Sequence, residues 1–356
     1  MKPVRIGVVG GGGIARSVRL PRLMDLSSEF EVAALAEPAE GLRAKLSSEY
    51  SFERTYESGE ELLDHPGLNA VLICSPNATH AQLALSAAER DMSVLIEKPL
   101  CIAPEDAARI YEATNRGGLS SSVGYMKRLD DCYKALLSSL DSTDGRLLAV
   151  NVCSYEPEDP ASTNLRAAQD GPLAAALMEQ VERAVGNVNW DEAMCFCEIY
   201  LGSLIHDLNL VRGVLSELDD EVDDGAPMSS ATWSGGFAVT ASLRTQRDAH
   251  CNFMWVQGGQ SCRETLVFIF EHAVHELVFS RPYFEPPQTK YTRRAHGQVE
   301  TMESPSESDP FRDDLLQFYG SMKGQTAPSN TVFDAKRDIE ILTGLFLAQA
   351  RTEPTD

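Results

Sequence analysis

Short apolar runs alternate with longer amphipathic stretches over the first third of the chain. The runs are rich in Val, Ile, Leu and Ala and are apolar on both faces, as strands are when helices cover both sides of a parallel sheet. The predicted strands are 4–9, 32–36, 70–74 and 93–96, and the predicted helices are 14–26, 40–49, 79–90 and 104–116. This alternation predicts a doubly wound α/β domain over about residues 1–122.

The pattern changes after about residue 145. Strand candidates then follow one another with short connections, at 147–153, 237–243, 251–256, 264–270 and 274–279, and helical stretches at 172–185 and 191–214 separate the first from the second. This succession predicts an antiparallel sheet in an α+β domain over about residues 123–333. Residues 282–310 are rich in Pro, Glu and Ser and predict an exposed loop with at most one edge strand. An amphipathic helix at about 334–350 is expected to complete the first domain.

Composition and charge exclude several classes of protein. The 356 residues suit about two domains. The formal charge of −22 repels phosphate groups, which argues against nucleic acid and membranes as partners. No apolar run approaches the ~18 residues that would span a bilayer. The eight cysteines lack paired metal-ligand spacing, so we expect no metal site, no disulfide framework and a cytoplasmic location.

A glycine-rich turn links the first predicted strand to the first predicted helix. Gly10, Gly12 and Ala15 fill the pattern G-x-G-x-x-A. In a dinucleotide-binding turn the first glycine makes the tight bend, the second lets the main chain approach the pyrophosphate, and the third small residue lets helix and strand pack closely. Gly13 and Ile14 complete the segment whose N–H groups, at the start of the helix, would bind the phosphates.

An acidic residue follows the second predicted strand at the distance that this motif requires. Glu37 lies 22 residues after Ala15, where a carboxylate can accept hydrogen bonds from the adenosine ribose hydroxyls. The next cation is Arg43, so a 2′-phosphate would face the carboxylates of Glu37 and Glu40. The segment therefore predicts NAD in preference to NADP.

Further motifs give the chain a resemblance to a known family. Residues 75–80 read S-P-N-A-T-H and residues 97–100 read E-K-P-L. In this order, after the glycine-rich turn, they resemble the Gfo/Idh/MocA oxidoreductases, the relatives of glucose-fructose oxidoreductase and inositol dehydrogenase. The likeness continues through 124–130, 205–210 and the predicted last helix.

The resemblance implies a Rossmann domain that binds NAD(P) and a second domain with an open, mainly antiparallel sheet, with the substrate between them over the nicotinamide. The cofactor contacts that it implies come from the turns after the strands, namely Ser75, Pro76, Asn77, His80, Glu97 and Lys98. Substrate contacts are implied for Tyr125 and Arg128 in the stretch that enters the second domain.

Lys98 is the predicted catalytic residue of the first domain and is also expected to bind substrate. Open parallel sheets bind ligands outside the carboxyl ends of their strands, and Lys98 follows the strand at 93–96. Pro99 disfavours a helical conformation at Lys98, which holds the lysine at the end of the strand. A lysine there could take the proton of a substrate hydroxyl.

His206 is the second predicted catalytic and substrate-binding residue. It lies opposite an apolar helical stripe, on a face that it shares with Gly202, Ser203 and Asn209. This face is small, polar and uncharged, which suits a ligand cleft. The resemblance implies an Asp four residues before the histidine, where this chain has Gly202, and an Asp is common where it has Asn209.

Two explanations of this departure stay open. Either His206 works without an orienting carboxylate, or another acid supplies one, with Glu198, Asp191 and Asp207 as candidates. Glu198 lies two turns before His206 on the same predicted helical face, so it is also expected to meet a substrate hydroxyl.

Together these residues predict an NAD-dependent dehydrogenase or reductase acting on a secondary alcohol or ketone of a sugar, cyclitol or related polyol. Two other classes stay open: an NAD-dependent glycoside hydrolase that oxidises its substrate transiently, and a non-catalytic ligand sensor on the same fold. A homodimer or homotetramer is expected, because residues 266–270 are apolar on both faces of the predicted sheet.

Overall fold

The computed structural model of the protein describes residues 2–157, 170–233, 238–258, 261–280 and 288–349. The strands are β1 Val4–Val9, β2 Phe30–Ala36, β3 Arg54–Tyr56, β4 Ala70–Ile73, β5 Ser93–Ile96, β6 Ser121–Val123, β7 Leu147–Glu156, β8 Ser229–Trp233, β9 Ala238–Arg244, β10 His250–Gln257, β11 Arg263–Phe270, β12 Ala273–Phe279, β13 Thr289–Ala295 and β14 Gln298–Glu303. The α-helices are α1 Leu20–Asp25, α2 Glu40–Glu49, α3 Gly59–Leu63, α4 Asn77–Ala88, α5 Pro104–Arg116, α6 Asp131–Ser139, α7 Pro172–Val185, α8 Trp190–Met194, α9 Ile205–Glu217, α10 Pro310–Met322 and α11 Val332–Leu347. Two segments are π-helical, Ala15–Arg19 and Cys195–Leu204, and two are 3₁₀-helical, Met126–Leu129 and Ser142–Asp144.

The chain divides into two compact units, Met1–Met126 with Pro310–Ile339, and Lys127–Asp309 with Glu340–Asp356. This division differs from the predicted one at residues 123–126 and 310–333, which group with the first unit, and at 340–350, which do not. The cause is α10, whose Leu315 and Phe318 are buried in the same core as Val8 of β1 and Phe30 of β2. That core stabilises the first unit through apolar surface contributed by both ends of the chain.

The first unit contains a parallel sheet in the order β3-β2-β1-β4-β5-β6. β4 and β5 are buried at every position, as strands covered on both faces are. The predicted α/β architecture is therefore confirmed. Sequence periodicity missed the short strands β3 and β6 and the short helix α3.

The second unit contains a sheet in the order β14-β13-β12-β11-β7-β10-β9-β8. Its neighbouring strands are antiparallel except for β7 and β10, which run parallel. The mainly antiparallel sheet is confirmed, with this one parallel pair as a refinement. Phe237, the first residue of one predicted strand, lies outside the described residues, as does Ala350 at the end of the predicted last helix.

The prediction for residues 282–310 was wrong in one respect. Residues 282–287 lie outside the described residues, and from 288 on the segment holds two strands, β13 and β14, joined at His296 and Gly297, which both have positive φ. β14 is mostly exposed and forms the edge of the sheet, while β13 lies between β12 and β14. Because edge strands carry charged rather than alternating apolar residues, β14 gave no periodic signal.

The helical stretch Trp190–Glu217 is long and apolar enough, by length and composition, to cross a membrane. Sequence inspection did not single it out. In the structure 83% of its apolar window is buried inside the protein, as in a core helix.

Candidate functional site

The glycine-rich turn after β1 has the geometry of a dinucleotide-binding turn. Gly10 has a φ of +95°, and a Cβ there would lie 2.6 Å from the carbonyl oxygen of Cys74, so only glycine fits. A Cβ at Gly12 or Gly13 would meet no atom within 4 Å, which leaves the main chain open to a ligand. Ala15 is fully buried in the core, where its small size lets the helix approach the sheet.

Glu37 lies beside this turn, directly after β2. Its Oε2 accepts a hydrogen bond from the N–H of Gly11 at 2.8 Å, and its Oε1 accepts one from the N–H of Ala39 at 2.9 Å. The carboxylate is buried, and its two hydrogen bonds stabilise the turn. Its contact with the ribose of a cofactor stays a prediction. Arg43, six residues further on, donates to the carbonyl oxygen of Glu37 at 2.6 Å and to Glu57 at 3.1 Å. A cation therefore lies against the Glu37 main chain, which weakens the predicted charge argument against a 2′-phosphate.

A second turn follows β4 and is tied by its own side chains. The Oγ of Ser75 lies 2.6 Å from the Oγ1 of Thr79, and this Thr79 hydroxyl also lies 2.8 Å from the carbonyl oxygen of Pro76. Pro76 is exposed and Asn77 half-buried at the start of α4. Because β1, β4 and β5 are parallel, the turns after them lie at one edge of the sheet.

The ring of His80 lies between the turns after β4 and β5 and is buried there. Its Nδ1 lies 2.7 Å from the carbonyl oxygen of Pro99, and its Nε2 lies 2.8 Å from that of Ser75. Burial lowers the pKa of His80, and a neutral ring donates to one carbonyl at a time. His80 therefore links the turn after β4 to the turn after β5, and its contact with a cofactor stays a prediction.

Glu97 and Lys98 follow β5 at the same edge of the sheet. The Glu97 carboxylate was expected at the cofactor, but its Oε1 accepts from the Nε of Arg19 at 2.6 Å inside the protein. Lys98 is half-buried, and the Lys98–Pro99 peptide bond is cis. Lys98 thus follows the carboxyl end of β5, and its part in proton transfer stays a prediction.

Arg19 is a residue that sequence reasoning missed. It is fully buried, and its Nη1 donates to Oδ2 of Asp314 on α10 at 2.7 Å. Its guanidinium lies 5.3 Å from the ring centroid of Phe311. Burial raises the pKa of Asp314 to about 6, against the attraction of Arg19, which lowers it. In the sequence Arg19 stands between Val18 and Leu20 on the predicted helix, and nothing else distinguishes it from Arg16 or Arg22.

In the second unit His206 lies in the first turn of α9, directly after the π-helical segment. It is 6% exposed, and the predicted stripe beside it is buried throughout, at Leu201, Leu204, Ile205, Leu208, Val211 and Leu215. Asn209, on the predicted polar face, is buried as well. The π-helix at Cys195–Leu204 was not predicted, so the α-helical spacing that placed Glu198 on the face of His206 does not hold.

The three acids considered for orienting His206 lie in different surroundings. Asp191 is exposed on α8, and Glu198 is half-buried in the π-helix. Asp207 is buried and accepts from the Oγ of Ser154 on β7 at 2.9 Å. Burial, together with the negative charge of Glu264, raises the pKa of Asp207 well above its usual range. Asp207 is therefore directed toward the sheet of its unit.

The predicted substrate residues also have structural roles, Tyr125 near the end of the first segment of the first unit and Arg128 at the start of the second unit. Tyr125 is buried in the first unit, and its carbonyl oxygen accepts from Nδ2 of Asn330 at 2.9 Å. Arg128 donates through Nη2 to the carbonyl oxygen of Asn209 at 2.7 Å. Its guanidinium therefore contacts α9 at a residue three positions after His206. Asp130, the last residue of this motif, caps α6 by accepting from the N–H of Cys132 at 2.8 Å.

Two further observations bear on ligands of other kinds. Within the part of the chain that the structure describes, no group of three or more His, Cys, Asp or Glu side chains could hold a metal ion. All eight cysteines are described and free of disulfides, and Cys195 and Cys197 are buried as small apolar residues.

The chain is similar to known oxidoreductases in sequence and in fold. The model of the oxidoreductase family with an NAD-binding Rossmann fold matches residues 4–125. The chain is similar to the myo-inositol 2-dehydrogenase of Thermotoga maritima, at 24% identity over 62% of this chain and 57% of that protein. The chain spans 33% to 57% of the length of the curated relatives that it matches.

Two solved structures share the fold across both units. A UDP-N-acetylglucosamine 3-dehydrogenase from Acidithiobacillus ferrooxidans matches with a TM-score of 0.75, at 16% identity and 98% of each chain. A 3-ketoreductase from Actinomadura kijaniata, in complex with NADP and TDP-benzene, matches with a TM-score of 0.74, at 18% identity and 98% of each chain. At these identities the likeness establishes the architecture.

Proposed function

Because the chain belongs to the Gfo/Idh/MocA oxidoreductase family through its NAD-binding Rossmann domain, we propose that it transfers hydride between a bound nicotinamide and a secondary alcohol or ketone of a sugar, cyclitol or related polyol. The observation that carries the proposal is the edge of the parallel sheet in the first unit. There the open glycine-rich turn and Lys98 both follow parallel strands. A dinucleotide-binding turn and a proton-transfer group at one sheet edge suit such a reaction.

The nicotinamide, when bound, accepts the hydride from the substrate carbon during oxidation. The chain's own part is to bind the dinucleotide at Gly10–Ala15 and to take the hydroxyl proton. We assign that proton to the amine of Lys98, which receives it as the C–O bond becomes a carbonyl. In the reverse direction the lysine ammonium returns the proton to the forming alkoxide.

His206 is proposed as the second group that acts on the substrate hydroxyl, either by holding it for Lys98 or by accepting the proton itself. Gly202 stands where relatives of this family place an orienting Asp, so the two roles are expected to overlap. Arg128, Tyr125 and Glu198 are proposed to shape the substrate site.

For the cofactor we propose NAD, with Glu37 accepting from the ribose hydroxyls. The burial of Glu37 beside the turn supports this assignment, and the position of Arg43 supports a smaller preference over NADP than the sequence predicts. For the substrate, the polyols oxidised by inositol 2-dehydrogenases are the first to test. The free cysteines support a reducing, cytoplasmic location, and we propose neither nucleic acid nor membrane as a partner.

The test is single-turnover NADH formation across a panel of inositols and sugars, with cofactor affinity measured separately. Lys98→Met is expected to lower the hydride-transfer rate by roughly 10²- to 10⁴-fold while NAD still binds. His206→Ala is expected to cost as much or somewhat less. Lys45→Met, the same change on the exposed face of α2, serves as the matched control.

Full activity in Lys98→Met would overturn the mechanism. Cleavage of a glycoside without net NADH would point to the hydrolase instead. Ligand binding with no turnover on any substrate would point to the sensor.

A further inference from the structure

Lys98 lies between two residues that buried groups hold in place. On one side, the carboxylate of Glu97 is bonded to Arg19 at 2.6 Å. On the other, the carbonyl oxygen of Pro99 lies 2.7 Å from the His80 ring. The main chain on both sides of the lysine is therefore anchored, whereas the lysine itself is half-buried at the strand end.

Arg19 reaches Glu97 because of the helix that follows the glycine-rich turn. Residues Ala15–Arg19 form a π-helix, whose wider turn changes the direction in which side chains project compared with an α-helix. Arg19 points into the first unit and is fully buried there. A Cβ at Gly124 would lie 2.7 Å from its Nη2, so glycine at this position leaves room for the guanidinium.

The cluster contains one cation and two acids. Arg19 bonds both Glu97 and Asp314, and all three side chains are at least nine-tenths buried. With both acids ionised the cluster carries a net charge of −1, and with Asp314 protonated it is neutral. Since charges inside a protein are screened less than charges in water, the protonation state of Asp314 changes the electrostatic potential at a neighbouring ammonium group.

We propose that Arg19 is a positioning residue for Lys98, acting through Glu97, and that Asp314 sets the net charge beside the lysine. This inference rests on the proposed proton transfer by Lys98. Arg19 also joins the helix of the glycine-rich turn to the strand end that carries the lysine.

Other ionisable groups face the cluster from the elements around it. Cys74, after β4, interacts with both Glu97 and Arg19, and burial raises the pKa of its thiol well above the usual range. His80 on α4 interacts with Glu97 and Lys98. From α1, Arg22 lies over the same Phe311 ring as Arg19, at 5.5 Å. The pKa of Asp314, about 6, falls within the usual range of assay pH.

The charge argument predicts a shift in the pH profile of the reaction. Above pH 6 Asp314 is ionised, and its charge stabilises the protonated form of Lys98. Asp314→Asn removes that charge and keeps an oxygen for Arg19, so the neutral amine forms at lower pH. We expect the acid limb of kcat for alcohol oxidation to move down by about half a pH unit or more. A purely structural role of Asp314 would not move this limb in a variant that folds normally.

The experiment compares Asp314→Asn and Arg19→Lys with the unaltered enzyme and with Arg22→Lys, a matched change one turn further along the helix. Arg19→Lys keeps the charge but loses the fork that bonds two carboxylates, so we expect kcat to fall at least 10-fold with NAD affinity within about twofold. Arg22→Lys is expected to keep the kcat and the NAD affinity of the unaltered enzyme. Circular dichroism and thermal melting establish that each variant is folded.

Superimposable pH profiles for Asp314→Asn and the unaltered enzyme would overturn the role of Asp314, and unchanged kcat in a folded Arg19→Lys would overturn that of Arg19. If Arg19→Lys does not fold, the Asp314→Asn profile decides alone. Lys98→Met, measured beside them, separates the proposed function from the positioning proposal. Full activity in Lys98→Met removes the proposed function. If Lys98→Met loses activity while the Arg19 and Asp314 variants behave like the unaltered enzyme, only the positioning proposal is removed.

Discussion

At the scale of single residues, Glu37 shows how one side chain serves the fold and the cofactor together. Its two oxygens accept from the N–H groups of Gly11 and Ala39, and the bond to Gly11 is buried within the glycine-rich turn. Removing the acceptors leaves the N–H of Gly11 without a partner inside the protein, which costs about 1–3 kcal/mol. The role in cofactor binding therefore cannot be separated from a role in stability.

We predict that Glu37→Ala lowers the free energy of unfolding of the cofactor-free protein and weakens NAD binding. Glu37→Gln keeps one acceptor oxygen, so its stability and its NAD affinity are expected to lie between those of the unaltered protein and those of Glu37→Ala. Glu49→Ala, on the exposed end of α2, is the control. Chemical denaturation without cofactor, and titration with NAD and NADP, measure the two effects. Unaltered stability in Glu37→Ala would show that the two bonds do not hold the turn.

A second prediction concerns the stability of the first unit against pH. The pKa of Asp314 in the folded protein, about 6, is above its usual 3.8, so the folded state binds this proton more tightly than the unfolded state. Its contribution to stability is therefore full below about pH 4 and is lost as pH rises through about 6. Two pKa units correspond to about 3 kcal/mol.

Asp314→Asn carries no such proton, so the stability of the unaltered protein relative to this variant should fall between pH 4 and pH 7. Urea denaturation of both proteins at several pH values measures the difference. A difference that is constant or grows with pH would contradict the assignment.

The residues of the site were predictable to different degrees. Gly10, Glu37 and Lys98 could be located because each follows a predicted strand, and local sequence determines such positions. Arg19 could not, because an arginine on a helix is usually exposed and its partner Asp314 is 295 positions away. The inward direction of Glu97 and His80 likewise depends on partners from other turns, which no local pattern contains.

At the scale of elements, periodicity located the long or strongly apolar segments and failed for the rest. β1 and β5, buried at nearly every position, have the predicted bounds. The π-helix at Cys195–Leu204 was missed because an all-buried helix shows no polar face from which its period can be read. β14 was missed because an exposed edge strand needs no apolar residues.

The glycine-rich turn allows a matched pair of variants within one element. In Gly10→Ala the new Cβ would lie 2.6 Å from the Cys74 carbonyl oxygen at a φ of +95°, so we expect a loss of stability of at least about 2 kcal/mol. In Gly12→Ala the methyl group meets no protein atom within 4 Å, so we expect normal folding but at least 10-fold weaker NAD binding.

Thermal melting without cofactor and NAD titration distinguish the two glycines. Normal stability in Gly10→Ala would contradict the close approach to Cys74. Unchanged NAD affinity in Gly12→Ala would mean that the pyrophosphate lies elsewhere.

At the scale of the whole molecule, the sheet of the second unit has one face that its own residues leave partly open. Along β10 the buried Phe253 and Trp255 alternate with Asn252 and Met254, and Met254 is 42% exposed. The register places Met254 beside Cys153 of β7, on the face opposite the buried residues. On β11, Leu266, Phe268 and Phe270 are buried while Val267 and Ile269 are half-buried.

This open face supports the proposed homodimer or homotetramer, because exposed apolar sheet surface is usually covered by another protein. We predict that the protein sediments at micromolar concentration as a multiple of 39.0 kDa. Met254→Asp is expected to shift the equilibrium toward the monomer. In a two-fold interface both subunits contribute this residue, so the single substitution buries two carboxylates. Leu173→Asp, an equally polar change at an exposed residue of α7, should leave the assembly unaltered. A single 39 kDa species in the unaltered protein would refute the assembly, and an intact oligomer in Met254→Asp would place its interface on another surface.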